Sequence, residues 1–223
     1  HLTFGNLEYP MLPAIPPEGY PRFNGPREYS EAAAEAGVDV FSLANNHAND
    51  QGPLGIISTR KVLHEIGQTR PVYFHGTKDS EEDAFEPLYI EKEGWVIGFI
   101  SATEFLNSPW GEELVFIIPL YRENKEEEFL LLVEEAAASC DILIVSFHAG
   151  REYRLFPDPR VRDFYIKASD RGAHIVWGHH PHVLQPWEFR KKNGTKRVIL
   201  YSTGNFVSGQ TWNLDPSKPD SSR

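Results

Sequence analysis

A single cysteine, Cys140, excludes an internal disulfide. It stands just before an apolar strand, where a small buried hydrophobe is a simpler role than a nucleophile. No run of eighteen apolar residues occurs, so nothing in the sequence reads as a membrane span. No secretory leader is visible, and the chain opens on His1-Leu2-Thr3-Phe4, already strand-like, as if inside a domain. Positive charge is scarce: 22 Lys and Arg against 32 Asp and Glu give a net charge of −10. A general nucleic-acid backbone binder needs the opposite balance. A phosphate or carboxylate substrate is still compatible, because a bound divalent cation inverts the local field. Nucleotide-binding glycine fingerprints are missing too. Ser42, Ser146 and Ser202 stand outside any Gly-x-Ser-x-Gly turn, which excludes the usual serine-hydrolase elbow. There is no internal repeat and no low-complexity tract.

What is present is an alternation of apolar strands and amphipathic helices. The 223 residues are enough for a sizeable core and are most simply read as one domain, 1–223. Leu2-Thr3-Phe4 reads as a strand end, and 10–26 is too rich in proline for regular structure. Helices are predicted over 27–36, 53–66, 126–139 and 161–171, the first and last closed by Gly37 and Gly172. Buried strands are predicted over 38–43, 141–147 and 174–177. Two hairpins are signalled, 87–91 with 95–100 around Glu93-Gly94, and 187–189 with 198–201 around Asn193-Gly194. This pattern predicts an α/β layered architecture with a mixed sheet. Trp110, Trp187 and Trp212 are expected to pack in the interior rather than line a groove, and the stretch 213–220 reads as loop.

The chemistry concentrates where strands end. Trp177-Gly178-His179-His180-Pro181-His182 sets three imidazoles at the point where a buried strand should run into a loop. Neutral imidazole is the commonest metal ligand, and glycine and proline shape such a turn. Glu8, Asn46-His47 and His148 occupy equivalent strand-end positions. In open α/β sheets the carboxyl ends of strands hold the ligand site. Carboxylate, carboxamide oxygen and imidazole nitrogen form a mixed donor set suited to manganese, iron or zinc. Each residue alone also has a plain structural reading, as a turn former or a hydrogen-bonded strand end; four coincident strand ends favour the metal. His1, His64, His75 and His174 lack this context and read as structural or surface residues.

Five runs in order carry a resemblance. Gly5-Asn6-Leu7-Glu8, the stretch from Ser42 through Asn45-Asn46-His47 to Gly52, Ser146-Phe147-His148-Ala149-Gly150-Arg151-Glu152-Tyr153, Gly178 to Pro186, and Tyr201-Ser202-Thr203-Gly204-Asn205-Phe206 together resemble the bacterial capsule-synthesis (CapA-like, poly-γ-glutamate biosynthesis) family. The resemblance implies a calcineurin-like metallophosphoesterase fold, layered mixed sheets in a sandwich flanked by helices, with two divalent metal ions at strand ends. It implies that Glu8 bridges the metals, that Asn46, His148 and His179 complete one shell, and that His182 binds the other ion. His47 becomes the catalytic acid or oxyanion stabiliser, and His180, Glu152 and Asn205 face substrate or support the ligands. The family opens with a strand ending in Gly-Asp, whose Asp is a metal ligand. No such strand precedes Glu8, so the expectation is a domain lacking its first strand and its C-terminal end.

The implied activity is a metal-dependent hydrolase of phosphoesterase type, acting through activated water and linked to capsule or poly-γ-glutamate biosynthesis. The alternatives are a non-catalytic accessory protein for an anionic surface polymer, or an amide hydrolase or transferase on γ-glutamyl bonds. The implied partners are an anionic substrate or polymer and membrane-bound synthesis machinery, with no nucleic acid, and the implied location is the cell envelope, outside the cytoplasm.

Overall fold

The computed structural model describes residues 1–209, and the expectations for Trp212 and for 213–220 fall outside the described residues. The chain divides into two compact units, residues 1–88 with 101–117, and residues 89–100 with the chain from 118 on.

In the first unit, strands β1 (Phe4–Asn6), β2 (Val40–Ser42) and β3 (Tyr73–His75) form a parallel sheet in the order β1-β2-β3. Parallel neighbours need crossover connections, and two helices supply them, α1 (Arg27–Glu35) and α2 (Gly52–Gly67). Helix α2 starts with Pro53 in its first turn, where no donor is lost, and buries Ile56, Thr59, Val62, Leu63 and Ile66 along one face. Leu63 and Ile66 join Leu7, Met11, Phe41 and Leu43 in the core beneath β2, a strand buried along its whole length. The proline-rich stretch has no regular structure beyond a single bridge between Glu18 and Asn24. The side chain of Asn24 accepts from the Leu12 N–H and donates to the carbonyls of Leu12, Ile15 and Pro16, replacing the backbone bonds that prolines cannot make.

The second unit is built on a six-stranded sheet in the order β4-β5-β6-β7-β9-β8, comprising β4 (Leu88–Lys92), β5 (Trp95–Thr103), β6 (Ile142–His148), β7 (Ile175–His179), β8 (Trp187–Lys192) and β9 (Thr195–Leu200). Residues 101–103 of β5 belong to the first unit. Strands β6, β7 and β9 are parallel, and β8 pairs antiparallel with β9. Helix α3 (Glu123–Ala138) precedes β6 and α4 (Pro159–Arg171) connects β6 to β7. Their apolar faces meet the sheet through Phe129, Phe147 and Phe164, whose ring centroids lie 4.6–5.9 Å apart. Each such ring contributes about 1.5–3 kcal/mol by burial alone. Both predicted hairpins turn on a residue pair at positive φ, Glu93 (52°) with Gly94 (83°) and Asn193 (50°) with Gly194 (84°), the conformation whose twist matches that of paired strands.

The α/β class is as expected, with mixed strand directions. Strand β3 had no expectation behind it: three residues pairing with β2 alone leave Tyr73 and Phe74 half-buried, too short a run to show a period. The tryptophan expectation fails at both described positions. Trp110 is 62% exposed, its ring laid against Gly52, and Trp187 is 59% exposed on the edge strand β8. Strand alternation sets Trp187 on the face opposite Glu188 and Arg190, the latter reaching Asp170 of α4, and on that outer face the ring remains in solvent. Cys140 is a free thiol, only partly buried beside Gly98, and burial pushes its pKa up, in keeping with an unreactive role. Among the described residues no helix is long and apolar enough to cross a membrane.

Candidate functional site

In the first unit the polar residues cluster where β1 and β2 end. Glu8, half-buried two residues past β1, accepts a hydrogen bond from Asn6 Nδ2 at 3.0 Å. Beyond β2, Asn45 is wholly buried and structural: its Nδ2 donates to the Leu7 carbonyl at 2.8 Å, and its Oδ1 accepts the His47 N–H at 3.2 Å. This turn fixes the two residues that follow. Asn46, buried, donates through Nδ2 to Asn107 Oδ1 at 3.2 Å, which sets the direction of its carboxamide oxygen.

His47 is buried and held on three sides. Its Nδ1 lies 2.7 Å from Asp50 Oδ2, the Asn107 amide nitrogen lies 3.2 Å from the same atom, and the Phe23 ring meets it edge-on at 4.5 Å. A carboxylate only accepts, so the shorter contact to Asp50 places the proton on Nδ1. The Asn107 amide, a donor, then packs against Nδ1 and finds an acceptor on the ring only at Nε2, 3.5 Å away, which keeps the lone pair. Asp50 is anchored in turn, its Oδ2 accepting the Phe23 N–H at 2.7 Å. The arrangement is a buried imidazole of fixed tautomer with a proton-accepting nitrogen on its far side. Asp50, Asn107 and Phe23 were missed from the sequence. Only Asp50 left a signal, lying three residues after His47 within the same motif.

In the second unit the parallel register places His148 opposite His179 at the carboxyl ends of β6 and β7. Their rings stack at 6.2 Å with planes 21° apart. His179 Nε2 is 2.9 Å from Ser146 Oγ, its ring lies edge-on to Trp177, and burial lowers its pKa to about 3, so the imidazole is neutral at physiological pH. The chain then bends sharply. His180 has φ of +95° and His182 +58°, a left-handed backbone that side-chain-bearing residues rarely adopt and that tends to mark functional turns. The first bend turns the His180 ring toward β6, bringing its Nδ1 within 3.2 Å of His148 Nε2, with both side chains buried. His182 Nδ1 lies 2.9 Å from Asn205 Oδ1, which again places the proton on Nδ1 and the lone pair on Nε2. Tyr153, itself at positive φ, ties the preceding loop to this turn by donating its N–H to the Pro181 carbonyl at 2.8 Å.

Gly178 allows the strand to pass here: an added Cβ would stand 2.1 Å from the Tyr201 carbonyl oxygen and 2.7 Å from the Tyr165 ring. Of the residues expected in the site, the second unit thus gathers His148, His179, His180, His182 and Asn205 on one set of turns. Glu152 is half-buried on the loop after β6. The first unit gathers Asn46 and His47, with Glu8 at the neighbouring strand end.

Parallel strands that end in, or run into loops bearing, buried histidine and asparagine set nitrogen and oxygen donors at the strand ends, the edge where α/β proteins place their ligand sites. Comparison with known proteins gives the particular family: residues 1–210 match the family described as "Bacterial capsule synthesis protein PGA_cap". The chain belongs to this family, whose fold is metallophosphoesterase-like. It is 34% identical over 187 residues to the PGA biosynthesis protein CapA of Bacillus subtilis (strain 168), covering 83% of this chain and 47% of that protein. It is 29% identical over 218 residues to the capsule biosynthesis protein CapA of Bacillus anthracis, covering 93% and 50%. The chain therefore spans about half the length of these relatives. A crystal structure of a hypothetical protein from Thermus thermophilus is similar at a TM-score of 0.49 and 20% identity, over 82% of this chain and 61% of that one.

Proposed function

We propose that the chain is the metal-binding part of a hydrolase of phosphoesterase type that works on an anionic capsule polymer or its precursor at the cell envelope. The single observation that carries this reading is the approach of His148 Nε2 and His180 Nδ1 to 3.2 Å. Two imidazole nitrogens about 2.0–2.1 Å from one cation, at tetrahedral or octahedral angles, stand roughly 2.9–3.4 Å apart, so the pair fits a shared divalent ion. The donor chemistry fits as well: burial keeps the adjoining His179 neutral, as a ligand must be. This gives His180 a ligand role where the resemblance implied one facing substrate or supporting the ligands; otherwise following the resemblance, we assign Glu8, Asn46, His179 and His182 to the remaining ligand positions for two ions.

A bound divalent ion of manganese, iron or zinc type supplies Lewis acidity, acidifying water and polarising a phosphoester or amide. The protein's own groups do the rest. His47, oriented by Asp50, holds a nitrogen able to exchange a proton with a leaving group, the role of a general acid once protonated. Asn205 fixes His182 in one tautomer, and Ser146 orients His179.

A second reading, an accessory protein without turnover, is favoured by the names of the relatives, which concern biosynthesis of a capsule polymer rather than hydrolysis. One experiment separates the two. Metal content is measured by elemental analysis on untagged full-length protein and its His148→Ala and His180→Ala variants, followed by turnover of a phosphodiester and a γ-glutamyl peptide. Near-stoichiometric metal that falls in both variants, with turnover of either substrate falling alongside, supports the hydrolase. Metal-free wild type refutes it, and metal without turnover on either bond leaves the accessory role.

A further inference from the structure

The hairpin of β8 and β9 reverses the charge of the molecule locally. Arg190, Lys191, Lys192, Lys196 and Arg197 place five cations in eight residues with no acid among them, in a chain of net charge −10. The pairing makes this more costly than it needs to be: Arg190 stands directly across from Arg197, and Lys191 directly across from Lys196. Like charges in directly opposed positions weaken a hairpin.

The two faces of the hairpin treat their charges differently. On the face toward α4, Arg190 pairs with Glu188 and Asp170, and Lys192 reaches Asp170. Arg197 lies on this face too, with Nε and Nη1 buried and making no hydrogen bond among the described residues. On the opposite face Lys191 and Lys196 are both exposed, and among the described residues neither has an acidic partner. Strand alternation puts Phe189 and Trp187 on that same face, 79% and 59% exposed, over Val198 and Leu200 of β9. The result is a strip with two unneutralised ammonium groups at the turn and two bare aromatic rings at spacings of about 7 Å along the strand.

We infer that this strip is a docking site for a linear polycarboxylate, lying outside the histidine-bearing turns. Carboxylates placed between Lys191 and Lys196 relieve their mutual repulsion, and the methylene groups between successive carboxylates lie against Phe189 and Trp187. A ligand of that description is both regularly anionic and partly apolar, which matches both halves of the strip. A phosphate backbone offers the charge without the methylene stretches. The choice of a polycarboxylate rests on the capsule-polymer reading above.

The test is fluorescence anisotropy of labelled poly-γ-glutamate of defined length with the full-length protein and with Lys191→Glu, Lys196→Glu and Phe189→Ala. Each charge reversal is expected to weaken binding about fivefold or more at low salt, and added salt to erase most of the difference. Phe189→Ala weakens it without changing the salt dependence. Either single reversal turns a like-charged pair into an attractive one, so the melting temperature does not fall and misfolding cannot account for the loss. Binding within about twofold of wild type in both reversals overturns the proposal. So does equal competition by an oligonucleotide or an anionic vesicle of matched charge. Metal content and turnover of a small ester stay at wild-type values in these variants. Failure of the hydrolase reading is therefore seen separately, as absent metal or turnover in a protein that still binds polymer.

Discussion

His75 offers a quantitative test of how the first unit is held together. Its imidazole is buried at the end of β3, with Nδ1 accepting the Ser101 N–H at 2.9 Å and Nε2 donating to the Glu86 carbonyl at 2.9 Å. Burial drives its pKa from 6.5 down to about 4, more than its two backbone hydrogen bonds restore. The neutral ring is thus the folded form. Above pH 6.5 both states are neutral and this group contributes no pH dependence; as pH falls from 6.5 toward 4 the unfolded chain takes up a proton that the folded chain refuses. At about 1.4 kcal/mol per pH unit, the interval of 6.5 minus 4 amounts to about 3 kcal/mol lost in full, and most of it by pH of about 4.5. The consequence reaches the functional loop. His75 O accepts the Leu43 N–H, and Ser101 bonds both Ser42 and the Ala44 N–H, immediately before Asn45-Asn46-His47. The assay is urea unfolding of wild type and His75→Gln across this pH range, because glutamine can accept and donate at similar positions without titrating. At neutral pH the variant is expected to be less stable by about 1 kcal/mol. On acidification that gap should close or reverse by about 2–3 kcal/mol, since other titrating groups act equally in both proteins. A gap that stays constant from pH 7.5 to 4.5 would show that His75 is not held neutral by the fold, and the reasoning would be wrong.

Two further outcomes follow from the strand-end geometry. Gly178→Ala sets a methyl group 2.1 Å from the Tyr201 carbonyl, so β7 must shift; an overpacking cost of about 1–3 kcal/mol or more is expected in urea unfolding, together with reduced metal content, and an unchanged unfolding midpoint would refute the close approach. Asp50→Asn removes the charge from a 2.7 Å hydrogen bond to His47; turnover is expected to fall while metal content holds, with a stability loss of about 1.5–3 kcal/mol, and turnover equal to wild type would remove His47 from the chemistry.

The sequence was most legible where a period or a turn residue had a local cause. Helix α2 appeared as 53–66 against the observed 52–67 because its apolar face and Pro53 are local signals. The hairpin at Asn193-Gly194 was legible because few other residue pairs tolerate positive φ twice in succession. Strand β3 was not legible, since three half-buried residues show no period. The exposure of Trp110 and Trp187 was misjudged because hydrophobicity gives only a tendency to be buried; Trp110 lies in the loop after β5 and Trp187 on one face of β8, and whether anything covers such a position is decided by packing between remote segments.

The candidate site divides in the same way. Which residue types stand at which strand ends was already determined by the linear order of apolar runs and polar breaks, because an apolar strand in an α/β chain has only one carboxyl end. Which atoms meet was decided by tertiary structure. The left-handed bend at His180 that brings its Nδ1 to His148 Nε2, and the approach of Asn107 to His47 from sixty residues away, depend on parallel register and loop packing. So does the opposition of Lys191 to Lys196, which antiparallel pairing imposes on charges that in the sequence look only like a solvated run. Spacing along a chain limits distance only to nearby residues, whereas contacts between remote segments are fixed by the packing that buries the core.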